Sequence, residues 1–142
     1  MKKILLSFAV VLLSVMTAFA QDVTGKWQTF DEDTGKAKSV VEIYKQNGKV
    51  YGKVVEIADP SKRDATCFKC PEEYKDKPIL GLVILKDLEK DGSEYNDGTI
   101  MDPNNGKVYK CYIELDSANK LKVRGYIGFS LLGRTQTWTR VQ

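Results

Sequence analysis

Polar and apolar residues alternate with a period of two along most of this chain, and helical spacing is scarce. Val23, Gly25, Trp27 and Thr29 share one face of a first strand, which stops at a polar turn, Asp31 to Gly35 (DEDTG). Ser39 to Tyr44 (SVVEIY) is a second strand, rich in β-branched and aromatic residues. Asn47-Gly48 supplies the positive φ angles of a tight hairpin, and Val50 to Ile57 is the returning strand. Ala58 to Pro78 breaks the rhythm with charges, three prolines and the pair Cys67 and Cys70. This predicts a long loop with at most one short helical turn, and loops of that length are usually functional or covalently tied. Ile79 to Leu85 (ILGLVIL) is continuously apolar and predicts a buried strand; Lys86 to Gly98 reads as a polar connection, and Thr99 to Met101 as a short strand. Asp102 to Gly106 (DPNNG) is a turn, with Pro fixing one φ and Asn-Gly supplying positive φ. Val108 to Leu115 alternates, with Tyr109, Cys111, Ile113 and Leu115 on one face and Lys110, Tyr112 and Glu114 on the other. Leu121 to Ile127 and Arg134 to Val141 complete eight strands. Eight strands joined in order predict an all-β fold, an antiparallel up-and-down barrel able to hold one small ligand. A two-sheet sandwich is the alternative.

The first residues do not belong to this pattern. Lys2 and Lys3 precede an apolar run from Ile4 to Met16, and Ala18-Phe19-Ala20 places small residues where a signal peptidase reads. Residues 1–20 therefore read as a signal peptide cleaved after Ala20, with 21–142 as a single domain. The apolar run is too short to span a bilayer, and Gln21 stands where a lipoprotein would need Cys. A periplasmic or secreted location is expected. Removing 1–20 lowers the formal charge from +3 to +1. A nearly neutral domain has no electrostatic reason to bind nucleic acid.

The chain has no histidine. That excludes Ser-His-Asp and Cys-His nucleophile systems and any histidine-based zinc or copper centre. Cys67 and Cys70, in an oxidising compartment, suit a disulfide stapling the long loop; the sharper alternative is a thiol-disulfide exchange pair. That chemistry wants a helix N-terminus in a βαβ unit, which this region does not offer. Cys111, on an apolar strand face, reads as a small core residue; pairing with Cys67 or Cys70, or a three-thiolate metal site, are rival readings. No metal or cofactor is expected.

A second group lies near the chain's end. Arg134, Gln136, Trp138 and Arg140 share one face of the last strand, with Arg124 and Tyr126 on the strand before. If first and last strands pair, Trp27 meets Trp138 or Arg140 where the sheet closes. If the Trp138 face points inward, the lumen is polar and cationic there and suits a carboxylate-bearing ligand. If the threonine face points inward, the arginines are solvated. Alternation leaves both open. Gly125, Gly128 and Gly133 read as barrel bends rather than a phosphate loop, since no helix or Gly-Lys-Ser/Thr follows.

Gly25-Lys26-Trp27 opening the first strand, with an arginine ending the last, resembles the lipocalin and calycin pattern. The wider set comprises SVVEIY, the Cys-x-x-Cys loop, DP-x-x-G-K-x-Y from Asp102 to Tyr109, and VRGYIG-x-S-L-L-GRTQTWTR from Val123 to Arg140. It resembles secreted bacterial proteins grouped as domain of unknown function 2147, across Asp22 to Arg140. The resemblance implies a lipocalin-like barrel in which the arginine packs on the tryptophan. It implies no catalytic residue. The function expected is a secreted or periplasmic barrel that binds a small apolar or acidic molecule or a lipid. Trp27, Arg124, Tyr126, Arg134, Gln136, Trp138 and Arg140 are its candidate contacts. A thiol-disulfide protein using Cys67 and Cys70, or a solidly packed barrel acting as an envelope interaction protein, are the alternatives.

Overall fold

The computed structural model describes residues 22–142, so the expected signal peptide lies outside the described residues. Eight strands follow in order: β1 (Gly25–Phe30), β2 (Ala37–Gln46), β3 (Lys49–Ile57), β4 (Val83–Asp91), β5 (Glu94–Met101), β6 (Val108–Ser117), β7 (Lys120–Tyr126) and β8 (Gly133–Arg140). Each pairs antiparallel with its sequence neighbour, and β8 pairs with β1, so the sheet closes into a barrel. The sandwich is excluded. No helix among the described residues is long and apolar enough to cross a membrane.

Alternation fills the interior. Trp27, Val41, Ile43, Val54, Leu85, Leu88, Cys111, Ile113, Leu121, Val123 and Trp138 are all buried in one continuous core. The two ends of the barrel differ. At one end the strands are joined by two-residue turns, at Asn47-Gly48, Gly92-Ser93 and Ala118-Asn119. At the other, longer loops join β1 to β2, β3 to β4, β5 to β6 and β7 to β8. We call these the closed and open ends.

Two expectations about the middle of the chain need correction. The strand predicted from Ile79 begins at Val83. Ile79 donates instead to the Ala65 carbonyl, and Gly81 turns the chain at φ +92°. The polar stretch Lys86–Gly98 is not a connection but most of a hairpin, with β4 running on to Asp91 and β5 starting at Glu94. Its pattern was hidden because pairing is interrupted midway. Between Lys86↔Thr99 and Glu89↔Asn96, Asp87 and Asp97 adopt φ of 58° and 59°. That irregularity brings both Leu85 and Leu88 inward, three residues apart rather than two.

The long β3–β4 loop is itself folded. A single 3₁₀ turn, Pro60–Lys62, is capped by the Asp59 carboxylate, which accepts from Ser61 N at 2.9 Å. Cys67 and Cys70 form a disulfide, both residues are buried, and Cys111 remains a free buried thiol. The pairing of Cys111 with the loop and the three-thiolate site are thus excluded. The staple docks on the β5–β6 turn. Gly106 has φ +71°, and a side-chain carbon there would overlap the Lys69 carbonyl, so two of the family-like motifs meet at that glycine.

Candidate functional site

The barrel closes at Trp27 and Arg140, which are opposite one another across β1 and β8. The Arg140 guanidinium lies over the Trp27 ring, 4.3 Å from its centroid. Its Nε donates to Ala118 O at 2.9 Å, one terminal nitrogen to Thr24 O at 2.9 Å and the other to Asp22 O at 2.8 Å. Trp27 Nε1 donates to Val23 O at 2.8 Å. Residues 22–24 are thereby strapped across the closed end. Gly25 has φ +125°, and a Cβ there would come within 2.9 Å of the guanidinium. The spacing in Gly-x-Trp therefore makes room for the arginine.

The strap carries a second set of contacts. Lys45 Nζ reaches Asp22 Oδ2 at 2.7 Å, and the Tyr95 hydroxyl donates to Asp22 Oδ1 at 3.3 Å. Burial opposes the Asp22 charge, but the Lys45 hydrogen bond and charge, with the N–H groups of Thr24 and Val23, outweigh it and hold its pKa below the ordinary value. Lys45 is pushed up, first by its hydrogen bond to Asp22. Tyr95 is pushed up by burial and then by the Asp22 charge. Trp27 and Arg140 are therefore committed to closure.

The seam behaves differently toward the open end. β1 and β8 pair only at Trp27↔Arg140 and Gln28↔Thr139, whereas β7 and β8 pair from Lys120↔Thr139 to Tyr126↔Gly133. Beyond Gln28 the two strands separate. The gap is a cavity of about 440 Å³ lined by Phe30, Asp31, Glu32 and the β8 residues from Arg134 to Trp138. Trp138 is buried and Gln136 half-buried, so the tryptophan face of β8 points inward.

Side chains bridge the gap that the backbone leaves. Arg134 Nη1 donates to Glu32 Oε2 at 3.0 Å, and Gln136 Nε2 donates to Glu32 Oε1 at 2.8 Å. Gln136 Oε1 accepts from Trp138 Nε1 at 3.0 Å. One carboxylate thus ties rim to interior through a four-residue chain. Its neighbour Asp31 is spent on the loop, accepting from the N–H groups of Thr34 and Asp33 at 2.9 Å each, and these hold its pKa below the ordinary value. Arg134 is 83% exposed and Glu32 39%, so their ion pair is worth at most about 1 kcal/mol and opens readily.

Of the expected contacts, Arg134, Gln136 and Trp138 come together at this cavity. Trp27 and Arg140 lie at the other end. Arg124 and Tyr126 alternate with the buried Val123 and so face outward; Arg124 donates to Ser130 O and Thr135 Oγ1, both at 2.7 Å, bracing the β7–β8 loop. The interior is therefore not a cationic lumen. Sequence reasoning missed Phe30, Asp31 and Glu32, which read only as a strand end and a turn. The signal was present in the closure. Extending the antiparallel register from Trp27↔Arg140 carries Glu32 to the level of Thr135, between Arg134 and Gln136.

An eight-stranded closed barrel with a tryptophan-arginine seal and an opening at its mouth is a lipocalin-like fold. The chain belongs to the bacterial family described as uncharacterized proteins conserved in bacteria, domain of unknown function 2147, whose model matches residues 25–140. It is similar to the solved structure of a protein from the human pathogen Helicobacter pylori that is described as belonging to the lipocalin family. The two are 27% identical with a TM-score of 0.75, and the match covers 85% of this chain and 84% of the other. No curated protein matches the chain.

Proposed function

We propose that this protein is an exported binding protein for a small amphiphilic acid, held at the opening between β1 and β8. The observation that carries the reading is the Glu32 bridge: Arg134 and Gln136, at the rim of a cavity floored by Trp138, are held by an internal carboxylate. A ligand carboxylate is the chemical equal of the Glu32 side chain. It can take over the same two donors while its apolar part lies against Phe30 and Trp138. Exchanging one exposed ion pair for another costs little, so apolar burial decides affinity, at about 0.8 kcal/mol per methylene. Export through residues 1–20 would place the protein in the periplasm or outside the cell.

The test is a thermal-shift and calorimetric series of straight-chain carboxylic acids of increasing length, with matched alcohols as controls. Glu32→Gln should tighten acid binding by removing the competitor. Arg134→Ala should weaken acids by up to about fivefold and leave alcohols unchanged. Equal binding of acids and alcohols by all three proteins would defeat the reading.

A further inference from the structure

The exposed large apolar side chains are not spread over this barrel. Among the described residues there are eight, and seven sit on open-end loops or the strand starts beside them; only Val141 does not. Four belong to one short loop between β7 and β8: Ile127, Phe129, Leu131 and Leu132 are 67%, 76%, 88% and 68% exposed. Isolated exposed leucines need no explanation, but four large apolar residues on one protruding tip do.

We propose that this loop inserts into the headgroup region of an anionic lipid bilayer and holds the barrel mouth against the membrane. Three features favour a bilayer over a protein partner. The first is shape: the apolar side chains project from a loop tip, which suits a deformable phase rather than a complementary groove. The second is backbone satisfaction. Ile127 N donates to Leu132 O at 3.2 Å, Leu132 N to Phe129 O at 2.9 Å and Phe129 N to Ile127 O at 2.9 Å, while Arg124 Nε covers Ser130 O. These bonds reduce the number of polar groups the loop would carry into a low-dielectric layer; the N–H groups of Gly128, Ser130 and Leu131, with no partner among the described residues, are left for lipid headgroups and their water. The third is charge. The strand and turn beside the loop carry Lys107 and Lys110, both exposed, while the nearby Arg134 is paired with Glu32. The stapled Cys67–Cys70 tip packs on the same turn at Gly106 and adds exposed Phe68 and Lys69. Apolar residues that enter to a depth of about 5–10 Å, ringed by cations at headgroup level, are the make-up of an interfacial anchor on anionic lipid.

The experiment is co-sedimentation of the purified protein with vesicles of phosphatidylglycerol and phosphatidylethanolamine, and separately with phosphatidylcholine, at low and high ionic strength. We expect pelleting with the anionic vesicles, reduced by salt. The double substitution Phe129→Ser with Leu131→Asp should lower the bound-to-free ratio at least about tenfold without moving the melting temperature. Lys69→Glu with Lys107→Glu should abolish the preference for anionic lipid. In a third protein, Phe129→Trp, fluorescence should shift to the blue on vesicle addition and be quenched by a shallow lipid quencher. No pelleting with either composition, or pelleting untouched by the loop substitutions, would overturn the proposal. So would a concentration-dependent dimer that Leu131→Asp dissolves, which would assign the loop to a second copy of the chain.

Discussion

Arg140 hydrogen-bonds three carbonyls from two separate segments while stacked on Trp27, and Gly25 leaves the space it occupies. Its value lies in the planar fork, which a lysine does not reproduce. Arg140→Lys should therefore lose most of what Arg140→Ala loses, about 2–4 kcal/mol from stacking and three charge-assisted hydrogen bonds, read from urea midpoints. A lysine that restored wild-type stability would reduce the contact to charge alone. The Trp27 and arginine partnership was legible in the sequence because both residue types sit at fixed places on strands that must pair. Glu32 was missed because its partners emerge only when the Trp27↔Arg140 register is carried past Gln28, the last residue of β1 paired with β8. Cys111 was read correctly as a core residue. Burial pushes its thiol up to about 12, which keeps it protonated and unreactive at neutral pH.

At the scale of elements, strands with one apolar face were readable and irregular ones were not. β6 alternates from Tyr109 to Leu115 and was read from Val108 to Leu115; the strand runs two residues further, to Ser117. β4 and β5 were misread because left-handed Asp87 and Asp97 disturb the period and their outer faces are charged. The segment before β1 is held partly by ionised groups, so its stability depends on pH. Asp22 titrates below its ordinary 3.8 when folded, so its contribution is present above that value and fades as pH falls through the folded pKa. Lys45 and Tyr95 titrate above their ordinary 10.5 and 10.0, so their contributions hold below those values and fade as pH rises. The melting temperature should exceed that of Asp22→Asn from about pH 5 to pH 9, with the gap closing under acid. A gap that persisted at about pH 2 would show that the carboxylate charge does not hold the strap.

For the whole molecule, closure and its incompleteness make the two ends of the barrel unlike. Eight strands in sequence order with a sealed end leave the other end for loops, and the loops differ in kind. The β1–β2 loop contributes a carboxylate to the seam, the β3–β4 loop is stapled and docked, and the β7–β8 loop is apolar and exposed. The eight-stranded architecture was legible because alternation and turn residues are local signals. The opening was not, because it reflects how far two distant strands stay paired. The chain's two tryptophans report on the two ends separately: Trp27 Nε1 is bonded to Val23 O at the seal, and Trp138 Nε1 to Gln136 at the cavity. The decisive measurement is a two-dimensional ¹H–¹⁵N spectrum of the indole N–H groups during titration with a medium-chain carboxylic acid. The Trp138 resonance should move with saturation while that of Trp27 stays fixed, and Arg134→Ala should raise the acid concentration at which the movement saturates. Movement of Trp27 alone, or no saturable movement of either, would contradict a binding site between β1 and β8.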